Sequence, residues 1–291
     1  MKENVLGAMY TPPMRTLIIN ADDLGANTQR THGIFQCFEF GIVTSATLLP
    51  NAVDSDRAGK QVREKKLPIG LHLNLTEEYP RSKRGDIESL IEGNGMFLSD
   101  LRMRTALESG QVQKEHLERE IRAQIEWFFD TVGAPTHVDS HHHIHTHPIV
   151  ASALIPVLER YGVRFVRIPL EEPLPPFGYI ISAEQLEKVR HINDAAKIAR
   201  EMYGAYGIAT SDHFRGLTLA GNAALKNLRH IIGRLPEGVT ELMVHPGSAC
   251  TYGTTFDLDP QRQTELRMLT DVSIAEELQE RKIRLASYED L

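Results

Sequence analysis

The sequence predicts a single-domain α/β protein, an irregular (β/α) barrel in which seven or eight parallel strands alternate with helices. Short runs of β-branched and apolar residues alternate with longer amphipathic segments along the chain. The 291 residues with 41% hydrophobic content can form one large core. A doubly wound open sheet is the alternative, but the barrel is preferred because one domain must accommodate every strand–helix unit.

The predicted strands are short apolar runs that end in polar residues or turn signals, beginning with "RTLIIN". They lie at residues 15–20, 42–50, 69–76, 136–141, 163–169, 208–214 and 239–247, with one further strand in 283–291.

The predicted helices are segments whose apolar residues recur at helical spacing. The clearest is 114–133, where Leu117, Ile121, Ile125 and either Phe128 or Phe129 form one stripe. The full set is 27–40, 54–66, 114–133, 148–161, 183–203, 222–235 and 259–282. Gly41 is a stop signal for the first helix. Residues 77–110 have weak periodicity and are predicted to be an insertion in a domain that spans 15–291, after a flexible lead-in at 1–14.

Composition excludes several classes of partner. A net charge of −7 without a basic stripe argues against nucleic acid and anionic membranes. No apolar run is long enough to span a bilayer, and the N-terminus has no sustained apolar stretch. Two cysteines make a disulfide framework improbable, so a reducing cytoplasm is the expected location.

Polar side chains collect at the predicted strand ends. Parallel strands open on one face, so these side chains should converge there. The set comprises Asp22 and Asp23 after the first strand, His72 in the third, Asp139, Ser140 and His141 in the fourth, Asp212 and His213 in the sixth, and His245 after the seventh.

Two imidazoles and a carboxylate are a recurring set of metal ligands that leaves a position open for water. Asp22 or Asp23, His72 and one histidine of the run would supply it. Adjacent aspartates point in different directions, so one can bind metal while the other acts as general base. Spacing does not assign the two roles. His245 could be a general acid that protonates a leaving amine.

The stretch "THVDSHHHIHTHP" holds six of the thirteen histidines. In an extended chain, His137, Asp139, His141 and His143 would share one side. Asp139 could then hydrogen-bond a neighbouring imidazole and fix its tautomer. His142, His143, His145 and His147 could be further ligands, substrate contacts or loop polarity.

Each feature also has a structural interpretation. The aspartate pair could form a turn or cap the next helix. His72 could be a hydrogen-bonded core residue, and the histidine run could bind metal adventitiously. Asp212 and His213 are interpreted as structural. The joint occurrence at strand ends favours a metal-dependent hydrolytic site, because such a cluster is costly without function.

Six segments together resemble the YdjC-like, or ChbG-type, carbohydrate deacetylases. The segments are "LIINADDLG", "GIVTSATLLPN", "IGLHLNLT", "THVDSHHHIHTHP", "ELMVHPG" and "RLASYEDL". The resemblance runs from about residue 15 to the C-terminus. It implies a TIM-barrel-like fold that removes acetyl groups from N-acetylated sugars, such as small chitooligosaccharides, with one divalent metal ion and often as a homodimer.

The resemblance also implies a role for each matching position. Asp23, His72 and His141 match the metal ligands, and Asp22 matches the general base. His245 matches a late histidine with an acid role. The ion is Zn²⁺ or Mg²⁺: two imidazoles favour zinc, whereas the family is often described as magnesium-dependent.

Two other classes of function stay open at this stage. One is a metal-dependent phosphoesterase or nuclease barrel, which often uses two ions and would employ the extra histidines. The other is a non-catalytic sugar-binding or metal-binding protein.

Overall fold

The computed structural model describes residues 14–172 and 181–291. The predicted lead-in lies outside the described residues except for Met14. A membrane-crossing helix, which needs about 20 mostly apolar residues, is not found within the described ranges.

A seven-stranded sheet forms the centre of the molecule, and each pairing between its strands is parallel. The strand order is β4-β3-β2-β1-β6-β5, and β7 pairs with β1 outside this path. The strands are β1 (Arg15–Leu24), β2 (Ser45–Leu48), β3 (Ile69–Leu73), β4 (Val138–Ser140), β5 (His213–Arg215), β6 (Gly238–Val244) and β7 (Ile283–Leu285).

The central strand β1 is buried along almost its whole length, as expected of a parallel strand covered on both faces. It contacts β6 from Arg15 to Ala21, which lies beside Val244. Asp22, which is still within β1, and His245 therefore directly follow a pair of register partners. This register brings the aspartate pair and His245 to one end of the sheet, as the sequence predicts.

The helices pack around the sheet and agree well with the predicted segments, with one additional helix in 77–110 and a short one just before residue 259. Their bounds are α1 (Thr28–Phe40), α2 (Ser55–Lys65), α3 (Asp100–Glu108), α4 (Lys114–Thr131), α5 (Pro148–Tyr161), α6 (Ala183–Gly204), α7 (Leu225–Ile232), α8 (Thr255–Leu258), α9 (Gln261–Leu269) and α10 (Val272–Glu280). In the predicted apolar stripe of α4, Leu117, Ile121, Ile125 and Phe128 are fully buried, whereas Phe129 is partly buried.

The wall between β4 and β5 differs from the prediction. The expected strand 163–169 is reduced to single parallel bridges, from Val166 to Val138 and from Phe165 to Ala209. These bridges lead from β4 toward β5, so the architecture is a barrel-like α/β domain with a discontinuous wall. The next strand starts later than predicted, at His213.

That late start corrects the expected position of two polar residues. Asp212 and His213 lie at the beginning of β5, so they do not reach the edge where the other strands end. Asp212 Oδ2 instead accepts a hydrogen bond from the backbone N–H of Val239 at 2.8 Å. This contact ties β5 to β6 and agrees with the structural interpretation of both residues.

Two helical regions also differ from expectation. The predicted long helix 259–282 is divided into α9 and α10, because Asp271 caps α10 by accepting the backbone N–H of Ser273 at 2.9 Å. The 77–110 region contains α3, and its Ile87, Leu90 and Leu107 belong to the main core. Weak periodicity therefore conceals a short helix that packs on the domain.

Candidate active site

Three side chains from distant parts of the chain converge at the carboxyl edge of the sheet. Asp23 Oδ1 lies 3.3 Å from His72 Nε2 and 3.0 Å from His141 Nδ1. One potential ligand atom from each residue lies within 4.8 Å of those from the others. The structure therefore brings together the carboxylate and the two imidazoles that the sequence proposes as metal ligands.

A local irregularity in β1 aims Asp23 at the histidines. The register with β2 shifts between Ala21 and Leu24, and Asp23 adopts φ 63°. Aspartate tolerates this left-handed conformation better than most residues, and such irregularities re-aim side chains next to active sites. Asn27, rather than either aspartate, caps α1. The interpretation of the aspartate pair as the cap of α1 is therefore wrong.

Arg30 fixes the second oxygen of Asp23. Its Nη1 donates to Asp23 Oδ2 at 3.1 Å, and its Nη2 donates to Asp257 Oδ1 at 3.1 Å. The guanidinium is 2% exposed, so this bridge is shielded from water. Asp23 Oδ1 is left facing the histidines. This role of Arg30 cannot be predicted from the sequence, because the residue occurs inside an ordinary helical pattern.

His72 is oriented by a buried carboxylate on the neighbouring strand. His72 and Asp139 are register partners between β3 and β4, and His72 Nδ1 donates to Asp139 Oδ1 at 2.6 Å. Thr47 Oγ1 donates to the other Asp139 oxygen at 3.0 Å. Asp139 thus contacts an imidazole as predicted. The contact leaves His72 Nε2 directed at Asp23, an arrangement typical of metal-binding histidines.

The carboxylates around His72 and His141 raise the pKa values of both imidazoles. Burial by itself would lower the pKa of His72, but Asp139 and Asp23 outweigh it and raise the pKa to about 10. His141 behaves similarly, since Asp23 and Glu77 oppose the effect of burial and raise its pKa to about 9. Both imidazoles therefore lie in a strongly negative environment, which also favours a bound cation.

The histidine run does not continue as a strand beyond Ser140. Residues His141–Thr146 form a 3₁₀ helix in which His142 and His143 have φ 53° and 56°. The predicted alternation from His137 to His143 is therefore wrong past Ser140. The turn separates His141, which faces Asp23, from the histidines that follow it.

Four of the other histidines of the run have local structural contacts. His137 stacks on Tyr288 with ring centroids 3.8 Å apart. His142 Nδ1 hydrogen-bonds Thr76 Oγ1 at 2.9 Å. His145 Nε2 donates to the backbone carbonyl of Arg167 at 2.8 Å. His147 accepts from the backbone N–H of Ile149 and caps α5.

Asp22 belongs to a buried ionic network centred on Arg167. Arg167 holds both of its oxygens, and Asn20 Nδ2 donates to Oδ1 at 2.9 Å. The same guanidinium contacts Asp139 at 2.6 Å and Glu241 at 2.7 Å. Burial raises the pKa of Asp22, Arg167 lowers it, and Asp139 raises it, so that it lies above the usual value.

Arg167 was absent from the sequence-based site, although the sequence contained a signal for it. It is a charged residue near the end of "VRFVRIP", a run that otherwise reads as a buried strand. A buried charge requires partners. Arg167 is 0% exposed and is surrounded by three carboxylates.

His245 directly follows β6, and its ring meets Phe256 edge-on at 5.3 Å between centroids. Its backbone N–H donates to the Glu265 carboxylate. Burial, opposed by Asp23 and reinforced by Arg262 and Arg30, lowers the pKa of His245 well below its usual value. His245 is therefore neutral in the unliganded protein, and an acid role requires that it first take up a proton.

The donor set fits one transition-metal ion. Asp23, His72 and His141 offer one carboxylate and two imidazoles, and each imidazole has a carboxylate at its other nitrogen. Two further donor groups occur among the described residues, but each shares a histidine with this set. Three protein ligands with an open position are typical of hydrolytic zinc centres.

The chain is similar to known proteins along nearly its whole length. The family model described as YdjC-like protein matches residues 16–280. A carbohydrate deacetylase of Homo sapiens is 32% identical over 302 residues, covering 97% of this chain and 93% of the relative. A carbohydrate deacetylase of Geobacillus stearothermophilus is 32% identical over 283 residues, covering 95% and 98%.

One solved structure supports the fold. It is a protein from Enterococcus faecalis V583 named for cellobiose-phosphate cleavage, with a TM-score of 0.74 and 25% sequence identity. The match covers 95% of this chain and 98% of the other.

Proposed function

The chain belongs to the YdjC-like family, and we propose that it is a carbohydrate deacetylase that hydrolyses the acetamide of an N-acetylated sugar to acetate and a free amine. The observation that carries this proposal is the meeting of Asp23, His72 and His141 beside Asp22. A deacetylase needs both a cation site and a base, and this edge of the sheet offers both.

Asp23, His72 and His141 would hold one divalent ion. When bound, the ion acts as a Lewis acid that polarises the acetamide carbonyl and makes water a better nucleophile. Two imidazole nitrogens favour zinc over magnesium, which prefers oxygen ligands. Arg30 and Asp139 keep the ligand atoms aimed at one another without taking part in the reaction.

Asp22 would accept the proton of the attacking water. The two-point contact with Arg167 fixes the orientation of its carboxylate, and burial favours proton uptake by raising its pKa. Arg167 opposes the effect of burial and favours the charged form of the carboxylate. Asp22 is therefore suited to act as a general base, because its carboxylate is already oriented before the substrate binds.

His245 would protonate the departing amine, since an amide nitrogen leaves readily only as a neutral amine. His245 follows Val244, the register partner of Ala21, so it emerges beside the aspartate pair. Being neutral at rest, it would act after receiving the proton that Asp22 abstracts.

The proposal is tested by acetate release from a panel of N-acetylated sugars that runs from the monosaccharide to chitooligosaccharides. The assays run with chelator and with zinc or magnesium restored. Asp22→Asn should still bind metal but lose most of its turnover. The control Asp212→Asn should keep the wild-type turnover. Wild-type rates in Asp22→Asn would refute the base assignment. A homodimer and a cytoplasmic location stay predictions, which sedimentation and cell fractionation can test.

A further inference from the structure

His141 has a carboxylate on each of its two ring nitrogens. Nδ1 lies 3.0 Å from Asp23 Oδ1, on the side of the proposed ion. Nε2 lies 3.2 Å from Glu77 Oε2, on the opposite side of the ring. Glu77 is neither one of the three proposed metal ligands nor one of the two proposed proton-transfer groups.

The position of Glu77 is built into the turn that follows β3. Asn74 Oδ1 accepts the backbone N–H of Glu77 at 3.1 Å, and Asn74 Nδ2 donates to its carbonyl at 2.9 Å. Asn74 is 1% exposed, so these bonds are protected from water. The Glu77 backbone is therefore fixed, although its side chain is 45% exposed.

The Glu77–His141 pair repeats the relation between Asp139 and His72. In each pair the carboxylate occupies the imidazole nitrogen that faces away from Asp23. A metal-binding histidine usually donates its second N–H to such a partner, which fixes the tautomer and raises the basicity of the ligand atom. The pairs differ in setting, because Asp139 is fully buried and Glu77 lies at the rim.

We propose that Glu77 is a positioning residue for the metal centre. It accepts the Nε2–H of His141, and it thereby holds the tautomer in which the Nδ1 lone pair is free to bind the ion. This inference rests on the proposed function, since it presupposes that His141 is a ligand.

A second use of Glu77 has to be separated from this one. Glu77, His141 and His142 also place three potential ligand atoms within 4.8 Å of one another. His142 Nε2 is 3.9 Å from Glu77 Oε1, however, and His142 Nδ1 already bonds Thr76. The shorter contact to His141 favours positioning over a second cation site.

The experiment measures zinc affinity by competition with a chromophoric chelator, using metal-stripped wild type, Glu77→Ala, Glu77→Gln and Glu78→Ala. Glu78 is the matched control, because it is the adjacent acid and has no hydrogen bond to His141 among the described contacts. Glu77→Ala should weaken zinc binding by about 10–100-fold. Glu77→Gln keeps an acceptor oxygen and should lie between wild type and Glu77→Ala.

A second measurement separates an effect on the His141 tautomer from the general loss of a negative charge near the proposed ion. Nitrogen chemical shifts of His141 in the zinc-loaded protein should report an Nε2–H tautomer in wild type. Glu77→Ala should lose the hydrogen-bonded shift of that proton, and Glu78→Ala should keep it. Thermal melts of the metal-free variants control for unfolding.

Three outcomes would overturn the proposal: equal weakening in Glu77→Ala and Glu78→Ala, unchanged affinity in Glu77→Ala, or selective loss of a second bound ion. Failure of the wild type to bind zinc would instead count against the proposed function.

Discussion

Arg167 donates two hydrogen bonds to the Asp22 carboxylate, from Nη1 to Oδ2 at 2.6 Å and from Nη2 to Oδ1 at 2.7 Å. The pair is buried and makes the carboxylate a fixed feature of the site. Lysine carries the same charge but cannot form the planar two-point contact.

Arg167→Lys should therefore lower kcat by about 100-fold, the scale expected when a catalytic group shifts by about 1 Å. Steady-state kinetics of acetate release measures this. The control is Arg164→Lys, at an exposed position in the same segment. A kcat of Arg167→Lys within twofold of wild type would contradict the positioning role.

Because Arg167 also neutralises Asp139 and Glu241, replacing it should destabilise the fold. Arg167→Met should lower the free energy of unfolding by about 3–5 kcal/mol, as measured by urea denaturation.

Arg30 should matter for metal binding rather than for proton transfer. It holds Asp23 Oδ2 and so leaves Oδ1 for the ion. Arg30→Gln should weaken zinc affinity by about 10-fold, as loss of a partner behind a ligand commonly does. Asp257→Asn, which removes only the far end of the bridge, should have a smaller effect. Chelator competition measures both, and a larger effect in Asp257→Asn would contradict the assignment.

The 77–110 region should contribute to global stability. Leu107 in α3 is 1% exposed and joins the main core, whereas Leu101 in the same helix is 76% exposed. Leu107→Ala should lower the free energy of unfolding by about 2–5 kcal/mol. Leu101→Ala should change it by less than about 0.5 kcal/mol. Urea denaturation tests this, and equal values for the two variants would show that α3 unfolds separately.

Acid should destabilise the protein through His145. Burial lowers the pKa of this imidazole from 6.5 to about 4, and its Nε2–H donates to the Arg167 carbonyl. Between these two pH values the unfolded chain binds a proton that the native state does not. The contribution of His145 to stability is therefore complete above pH 6.5 and is lost as the pH falls toward 4, by roughly 3 kcal/mol in total.

His145→Asn should show a shallower loss of stability over this pH window, by about one proton. Urea denaturation at several pH values measures the slope. The control His191→Asn, at an exposed position of α6, should follow the wild-type profile. A slope for His145→Asn as steep as that of wild type would contradict the account.

The sequence predicts the features that depend on repeated patterns. The buried stripe of α4 follows from periodicity. The convergence of the aspartate pair, His72 and the histidine run follows from the shared edge of parallel strands, whereas the choice of Asp23 and His141 as ligands came from the family resemblance. The turn at His142 and His143 could not be predicted in this way, because left-handed backbone at a non-glycine residue is imposed by surrounding contacts.

The exact partners of the site residues depend on contacts between distant positions, which sequence patterns do not specify. Asp139 was expected to contact an imidazole, but the choice of His72 depends on the register of β3 and β4. Arg167 and Glu77 act through contacts that span 145 and 64 positions of the chain. The break between α9 and α10 had a local signal in Asp271, which the longer helical pattern obscured.

The most direct test of the metal centre is a zinc titration of metal-stripped protein in which bound zinc and acetate release are measured together. In the wild type, acetate release should rise and level off at one ion per chain. His72→Ala should bind no tight ion and release no acetate. Full acetate release without metal, or one tightly bound ion retained by His72→Ala, would contradict the assignment of Asp23, His72 and His141 as the ligands.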